Sequence, residues 1–376
     1  MKIEKIRMTN FRNLQPTYDE PSEGLNVFLG NNAQGKTSFL EGIYLLARPV
    51  SFRPARDAEL LQYDCRQFFV EALCQKKEGP SKLTVRFEAE KGKKEFFLNE
   101  KKTAYREANP LKVVLFTPND LGLVQGAPAY RRRYMDFLLC QLSTEYERHF
   151  GRYQGILKKR NQLLAAHQQE SSGFEAVNQM FAAEAAGILW QRLRVIQRLQ
   201  EILQEIFPAI YAENFTLSMR YALSFPMPQG VGSEKDLYEG LLKQIEQGKQ
   251  AEEEHRSTLY GPHKDDLNLY LNERLARKFA SQGQQRSIAI AMKLAEVLVY
   301  QAIRGEYPVF LLDEVLAELD HERRKTLFTW LKTAEFQSFL TAVNLDGLEE
   351  VEGVQIRYFS KGVLQKKKTE GTGTEQ

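Results

Sequence analysis

Cysteine, histidine and long apolar runs are all scarce in this chain, and each shortage excludes something. The three cysteines among 376 residues, Cys65, Cys74 and Cys140, form no CxxC pair and leave an odd one. A disulfide framework is therefore excluded, and the usage fits a reducing cytoplasm. The five histidines stand without paired spacing, which argues against a zinc site. The most apolar long window, Ile288 to Ile303, is interrupted by Lys293 and Glu296 and is too short for a membrane span. Alternating charged and apolar residues from Met1 to Lys5 suit a strand and contradict a secretory segment. No charge of one sign dominates: 52 Lys and Arg stand against 49 Asp and Glu, so any surface for a polyanion must come from local clustering. A cytoplasmic protein without a membrane partner is expected.

What is present is a pattern that changes along the chain, which is long enough for two cores or for one large α/β domain with an insertion. Residues 1–128 alternate or run apolar as strands: Lys2 to Met8, Leu25 to Leu29, Phe68 to Cys74, Leu83 to Ala89, Lys94 to Leu98 and Val113 to Phe116. Over residues 129–208 apolar residues recur at spacings of three, four and seven, from Tyr134, Phe137 and Leu138 to Leu164 and from Phe174 and Val177 to Ile206. That periodicity predicts an antiparallel helical arm turning near Glu170-Ser171-Ser172-Gly173, either a packed bundle or an open coiled coil. Residues 209–362 return to mixed patterns, with strands at Thr216 to Leu223, Leu267 to Leu271, Val309 to Leu312 and Phe339 to Ala342. Helices are predicted from Glu234 to Glu254, Ser281 to Arg304 and His321 to Thr333, and Leu267 to Leu271 is read as returning the chain to the core. The tail, 363–376, reads as disordered.

Directly after the apolar run Leu25 to Leu29 stands Gly30-Asn31-Asn32-Ala33-Gln34-Gly35-Lys36-Thr37, followed by the apolar helix Phe39, Leu40, Ile43, Leu46. Strand, glycine loop and helix start in this order make a P-loop. Gly30 and Gly35 let successive N–H groups face phosphate oxygens, and the helix start adds the positive end of its dipole. Lys36 neutralises phosphate charge, and the Thr37 hydroxyl is a ligand for Mg²⁺. The chain is thus expected to bind a nucleoside triphosphate.

A second half of the same site ends the apolar strand Tyr307 to Leu312: Asp313 suits the metal side and Glu314 the base that activates water. Most of the chain separates Lys36 from Asp313, so the site is split by an insertion. Shortly before Asp313, Ser281-Gln282-Gly283-Gln284-Gln285-Arg286 opens a long helix with a small-residue turn that offers a hydroxyl and N–H groups to an anion.

In this order the motifs resemble the ABC-type ATPase heads of the SMC-like class, with Ser281 to Gln284 at the signature motif and Ala317-Glu318-Leu319-Asp320 at the D-loop. The opening Met8 to Leu14, the P-loop, Ser51-Phe52-Arg53, Phe116 to Leu121 with Gly126 and Arg131-Arg132-Arg133, and Gly261 to Leu267 resemble the RecF family of bacterial recombination mediators. The likeness runs from residue 1 to about 362. It implies an α/β ABC-type head, a mixed-sheet P-loop core with an inserted helical arm. It also implies an ATP-dependent homodimer in which Ser281, Gly283, Gln284 and Asp320 of one chain meet the nucleotide of the other, and slow DNA-dependent ATP hydrolysis. DNA at gaps or single-strand/double-strand junctions, with RecO and RecR as partners in loading recombinase, is the implied setting, in SOS-linked repair and replication-fork maintenance. Gln282 departs from the transporter pattern, where glycine is common. The Q-loop position is open between Asn119, Asp120 and Gln125, and the switch position between Thr341 and Asn344.

For DNA the candidate clusters are Arg131-Arg132-Arg133, Lys158-Lys159-Arg160, Lys101-Lys102 and Lys91 with Lys93 and Lys94. A transporter-type ATPase subunit is the alternative, and an SMC-like structural clamp the third reading. The arm is too short for the clamp.

Overall fold

The computed structural model of the chain describes residues 1–105, 111–168, 173–211, 215–227, 230–345 and 354–366. In chain order the strands are β1 (Lys2–Thr9), β2 (Thr17–Asp19), β3 (Leu25–Leu29), β4 (Gln67–Lys76), β5 (Gly79–Glu88), β6 (Lys93–Leu98), β7 (Lys101–Thr103), β8 (Val113–Phe116), β9 (Leu217–Ala222), β10 (Asp266–Leu271), β11 (Arg274–Leu275), β12 (Val309–Leu312), β13 (Ser338–Ala342), β14 (Gln355–Ser360) and β15 (Val363–Lys366). The helices are α1 (Lys36–Ala47), α2 (Gly122–Gln125), α3 (Pro128–Leu142), α4 (Thr144–Ala165), α5 (Phe174–Tyr211), α6 (Glu234–Gln247), α7 (Lys249–His255), α8 (Ala276–Phe279), α9 (Gln282–Arg304) and α10 (His321–Thr333). These elements form two units, Met1–Asp120 with Tyr300–Gln376, and Leu121–Val299.

The first unit holds two sheets. Every residue of β3, β8, β12 and β13 is buried, as expected for strands covered on both faces of a parallel sheet. Their order is β15-β14-β3-β13-β12-β8, parallel from β14 to β8. Phe28 of β3 packs its ring against Phe39 of α1 (4.8 Å), Phe339 of β13 and Phe359 of β14. The second sheet, β2-β1-β4-β5-β6-β7, is antiparallel. In β4 alternate residues are buried, which places Phe68, Val70, Ala72 and Cys74 on one face. A fully buried ion pair ties β14 to β2: Arg357 Nε donates to Asp19 at 2.6 Å, and the same guanidinium reaches the Asn26 side chain and the Glu20 carbonyl. Val363–Lys366, assigned above to a disordered tail, is strand β15, because it completes a hairpin with β14. Residues 367–376 lie outside the described residues.

In the second unit the helices α4 and α5 run antiparallel. Residues Tyr146, His149, Tyr153 and Arg160 of α4 meet, in turn, Arg192, Glu184, Phe181 and Asn178 of α5. The pair is a packed bundle and not an open coil: Gln200 of α5 bonds the β9 backbone through Leu217 and Met219, and Arg192 reaches Tyr221. Its predicted turn at Glu170-Ser171-Ser172 falls outside the described residues. The polar helix predicted from Glu234 to Glu254 divides at Gly248 into α6 and α7. Strand β10 does not rejoin the P-loop sheet as expected; it forms a three-stranded sheet with β9 and β11 inside this unit. Its alternation, with Leu267, Leu269 and Leu271 buried, gives the face but not the partner strand.

Candidate nucleotide site

The loop between β3 and α1 has the form that the sequence predicts. Gly30 lies at φ 147° and Gly35 at φ 114°, both positive, and a Cβ on Gly30 would fall 2.4 Å from the Phe359 carbonyl oxygen. Only glycine fits there. No side chain caps the first turn of α1, so its leading N–H groups are left to an anion. Lys36 is 3% exposed, and its Nζ donates to the carbonyls of Gly30 (2.6 Å) and Asn31 (3.0 Å). Burial lowers the Lys36 pKa, while Glu314 and Asp313 oppose that shift and favour the cation.

Across the sheet, β12 ends in the two acids. Asp313 Oδ1 accepts the Thr37 hydroxyl at 3.0 Å and the Thr341 hydroxyl at 2.8 Å. Burial raises the Asp313 pKa, and those two hydrogen bonds pull it down. The Glu314 N–H donates to Thr341 Oγ1 at 3.0 Å, and Glu314 sits in the left-handed region at φ 52°, ψ 23°. An L-residue held there costs about 1–2 kcal/mol. Thr341, one of the two candidates for the switch position, thus stands beside both acids. Of the three Q-loop candidates, Asp120 is used locally, accepting the Thr117 N–H and hydroxyl. Asn119 is exposed, just past the β8 end where Phe116 accepts the Asp313 N–H at 2.9 Å. Gln125 belongs to the second unit.

Gly35, Lys36, Thr37 and Glu314 border a cleft of about 390 Å³, lined also by Arg12, Asn13, Gln34 and Arg53. Nothing in the spacing of the two arginines links them to the P-loop; they lie only in the family-like stretches. They meet at Glu41 of α1, which is fully buried. Arg12 holds it with two bonds of 2.9 and 2.7 Å, and Arg53 approaches to 3.8 Å. Arg12 Nη1 also donates to the Glu59 carbonyl. The residues present fit a magnesium nucleotide: glycine-shaped N–H donors and a lysine for the phosphates, and two hard oxygen donors, Thr37 and Asp313, for the ion.

The remaining predicted residues stand elsewhere. Asn31, Asn32 and Ala33 are exposed along the loop. Ser281 and Gln284 cap α9 reciprocally: the Ser281 N–H donates to Gln284 Oε1 (2.8 Å), and the Gln284 N–H to Ser281 Oγ (3.3 Å). Gly283, half-buried, lies in that same first turn, in the second unit. Asp320 caps α10, accepting the Arg323 N–H at 3.0 Å. Among the basic clusters, three members are not available to DNA: Lys94, whose side chain is 5% exposed and paired with Asp57 at 2.6 Å, and two arginines. Arg131 is 2% exposed and doubly bonded to Asp266, at 2.7 and 2.9 Å; Arg160 is 0% exposed and bonded to Glu252, Asn178 and Thr258. Burial with a carboxylate satisfies both guanidinium groups, which corrects their assignment. Arg132 donates to the Asp265 carbonyl, while Arg133, Lys158 and Lys159 are exposed.

A parallel sheet with a P-loop after β3 and an acid-ended strand, β12, one strand beyond it across β13 has the form of an ABC-type nucleotide-binding head. Residues 2–365 match the family model of the RecF/RecN/SMC N terminal domain. The DNA replication and repair protein RecF of Staphylococcus carnosus (strain TM300) is 35% identical over 93% of this chain and 95% of its own length. The solved structure of the recombination mediator protein RecF with ATP, described as part of the RecFOR pathway, superposes with a TM-score of 0.85 at 30% identity, covering 97% of both chains. An Smc head bound to the C-winged helix domain of ScpA superposes at 0.59 with 13% identity over 97% of this chain and 96% of that one, a likeness of fold alone. The chain belongs to the RecF family of DNA replication and repair proteins. Among the described residues no helix is long and apolar enough to cross a membrane.

Proposed function

We propose that this chain is an ATP-gated switch of DNA repair, in which two copies close around ATP on gapped or junction DNA and reopen after slow hydrolysis. The observation that carries this is the convergence of Thr37, Asp313 and Thr341 within 3.0 Å hydrogen bonds beside Lys36 and Glu314. Lys36 exchanges its bonds to Gly30 and Asn31 for the phosphates, so its charge is moved and not created on binding. Mg²⁺, held by Thr37 and Asp313, supplies neutralisation of phosphate charge when bound. Thr341 fixes the Glu314 backbone, and the Glu314 carboxylate takes the proton of the attacking water. Ser281, Gly283, Gln284 and Asp320 act on the nucleotide of the partner copy, so loss of the γ-phosphate removes contacts from both chains. The capping side chains of Ser281 and Gln284 leave their turn preformed for that contact. DNA lies against Arg133, Lys158 and Lys159, and RecO and RecR are the partners through which the complex assists recombinase loading.

Sedimentation with ATP, with and without gapped DNA, tests the reading. Wild-type protein shifts from monomer to dimer with ATP and the shift is larger with DNA, whereas Lys36→Ala stays monomeric. A chain that remains monomeric at saturating ATP in both conditions refutes the switch.

A further inference from the structure

The P-loop is held from behind by a hairpin far away in sequence. Between β14 and β15 the chain turns through Lys361 (φ 49°) and Gly362 (φ 78°), two successive left-handed residues. The Lys361 N–H donates to Gln34 Oε1 at 2.5 Å, and the Gly362 N–H to the Gln34 carbonyl at 3.0 Å. The Gly362 carbonyl in turn accepts the Gln15 N–H at 3.0 Å, and a Cβ on Gly362 would fall 2.1 Å from the Asn13 carbonyl oxygen. Asn13 closes the circle. Its Nδ2 donates to the Ala33 carbonyl at 2.9 Å, and its Oδ1 accepts the Ser38 hydroxyl at 2.8 Å. Ala33 is held at φ 63°, a conformation an L-residue adopts reluctantly and keeps only when its surroundings fix it.

We propose that Gln34 and Asn13 are positioning residues, tying the P-loop to the Gly362 turn so that its N–H groups are aimed before the nucleotide arrives. This rests on the nucleotide-site reading above. The Gln34 side chain joins the two segments, its Oε1 accepting from the hairpin and its Nε2 donating to the Asn32 carbonyl of the loop at 3.5 Å. A loop released from these ties spreads over several conformations, and the apparent affinity falls by the fraction that remains competent. Because ordering is reciprocal, nucleotide binding also steadies the hairpin.

Titration with a fluorescent ATP analogue, together with thermal melting, tests the tie. Gln34→Ala and Gly362→Ala each weaken binding about tenfold if one loop conformer in ten stays competent. The double variant loses less than the two single losses combined, since both loosen the same contact between loop and hairpin. The melting temperature of Gln34→Ala stays that of the wild type. In hydrogen exchange, the nucleotide slows the Gly362 amide in the wild type and does so less in Gln34→Ala. Wild-type affinity in Gln34→Ala, or losses that add in the double variant, overturn the proposal. If Gly362→Ala fails to fold, Gln34→Ala decides alone, since it removes an acceptor and adds no bulk. Lys36→Ala separates the two readings. Should it bind nucleotide normally, the site itself is misassigned; should it fail to bind while Gln34→Ala binds normally, only the tie is wrong.

Discussion

In the proposed reading two side chains with one strand between their own carry different parts of the chemistry, and single substitutions separate them. Lys36→Ala removes the one ammonium that the described residues supply to a cradle of N–H groups, and ATP affinity is expected to fall about a hundredfold in fluorescent-nucleotide titration. Unchanged affinity in a folded variant would sink the P-loop assignment. Glu314→Gln keeps Thr37, Asp313 and the Thr341 bond to its own backbone, so ATP binding and the dimer persist. Hydrolysis in that variant is expected to fall by about 100-fold or more, measured by phosphate release. These residues were legible because they stand in consecutive runs behind apolar strands, where backbone geometry dictates what side chains can do. Thr341 is half legible: it lies inside the strand predicted from Phe339 to Ala342, but that its hydroxyl meets the acids depends on how β13 sits between β3 and β12. Arg12 and Arg53 were not legible as a pair at all. Their meeting point, Glu41, is joined to them by tertiary packing, and no local spacing encodes that.

At the scale of elements, helical periodicity showed where α4 and α5 run but could not show which cations their faces bury. Arg160 stands in sequence beside exposed Lys158 and Lys159, yet it lies in the α4–α5 seam with Glu252. Arg160→Ala leaves that carboxylate buried without its partner, and a loss of about 3–5 kcal/mol in denaturant unfolding is expected. Lys158→Ala with Lys159→Ala should leave stability unchanged and weaken DNA binding, with a shallower dependence on salt. The same bundle carries a pH dependence. His263 accepts the Tyr153 hydroxyl at Nδ1 (2.6 Å) and its Nε2 contacts the Thr258 carbonyl (3.1 Å), an arrangement that suits the neutral ring. Burial, chiefly, lowers its pKa from 6.5 to about 4. The unfolded chain therefore binds the extra proton first as pH falls, and the stability this histidine contributes is intact above about 6.5 and lost progressively toward about 4. Melting curves between pH 7 and 5 should show a decline that His263→Gln reduces; an equal decline in both proteins would place its origin elsewhere.

For the whole molecule the decisive question is whether the two halves of the site meet within one chain or across two. The turn proposed as the signature motif and the P-loop belong to different units, and Ser281 is exposed, its hydroxyl engaged among the described residues in its own helix cap. As a cap alone, replacement would cost about 1 kcal/mol and nothing else. As a group that approaches the γ-phosphate of a facing chain, it cannot become a guanidinium without blocking that approach. Ser281→Arg is therefore expected to bind ATP as a monomer almost normally, to fail to dimerise, and to lose hydrolysis and DNA affinity together. Mixing distinguishes the two arrangements further. A dimer of one Ser281→Arg chain and one Lys36→Ala chain places both defects in one composite site and leaves the other intact, so partial ATPase activity returns on mixing two inactive proteins. If each site is complete within its own chain, the mixture stays at the sum of its parts, and a Ser281→Arg protein that dimerises with ATP like the wild type refutes sharing outright.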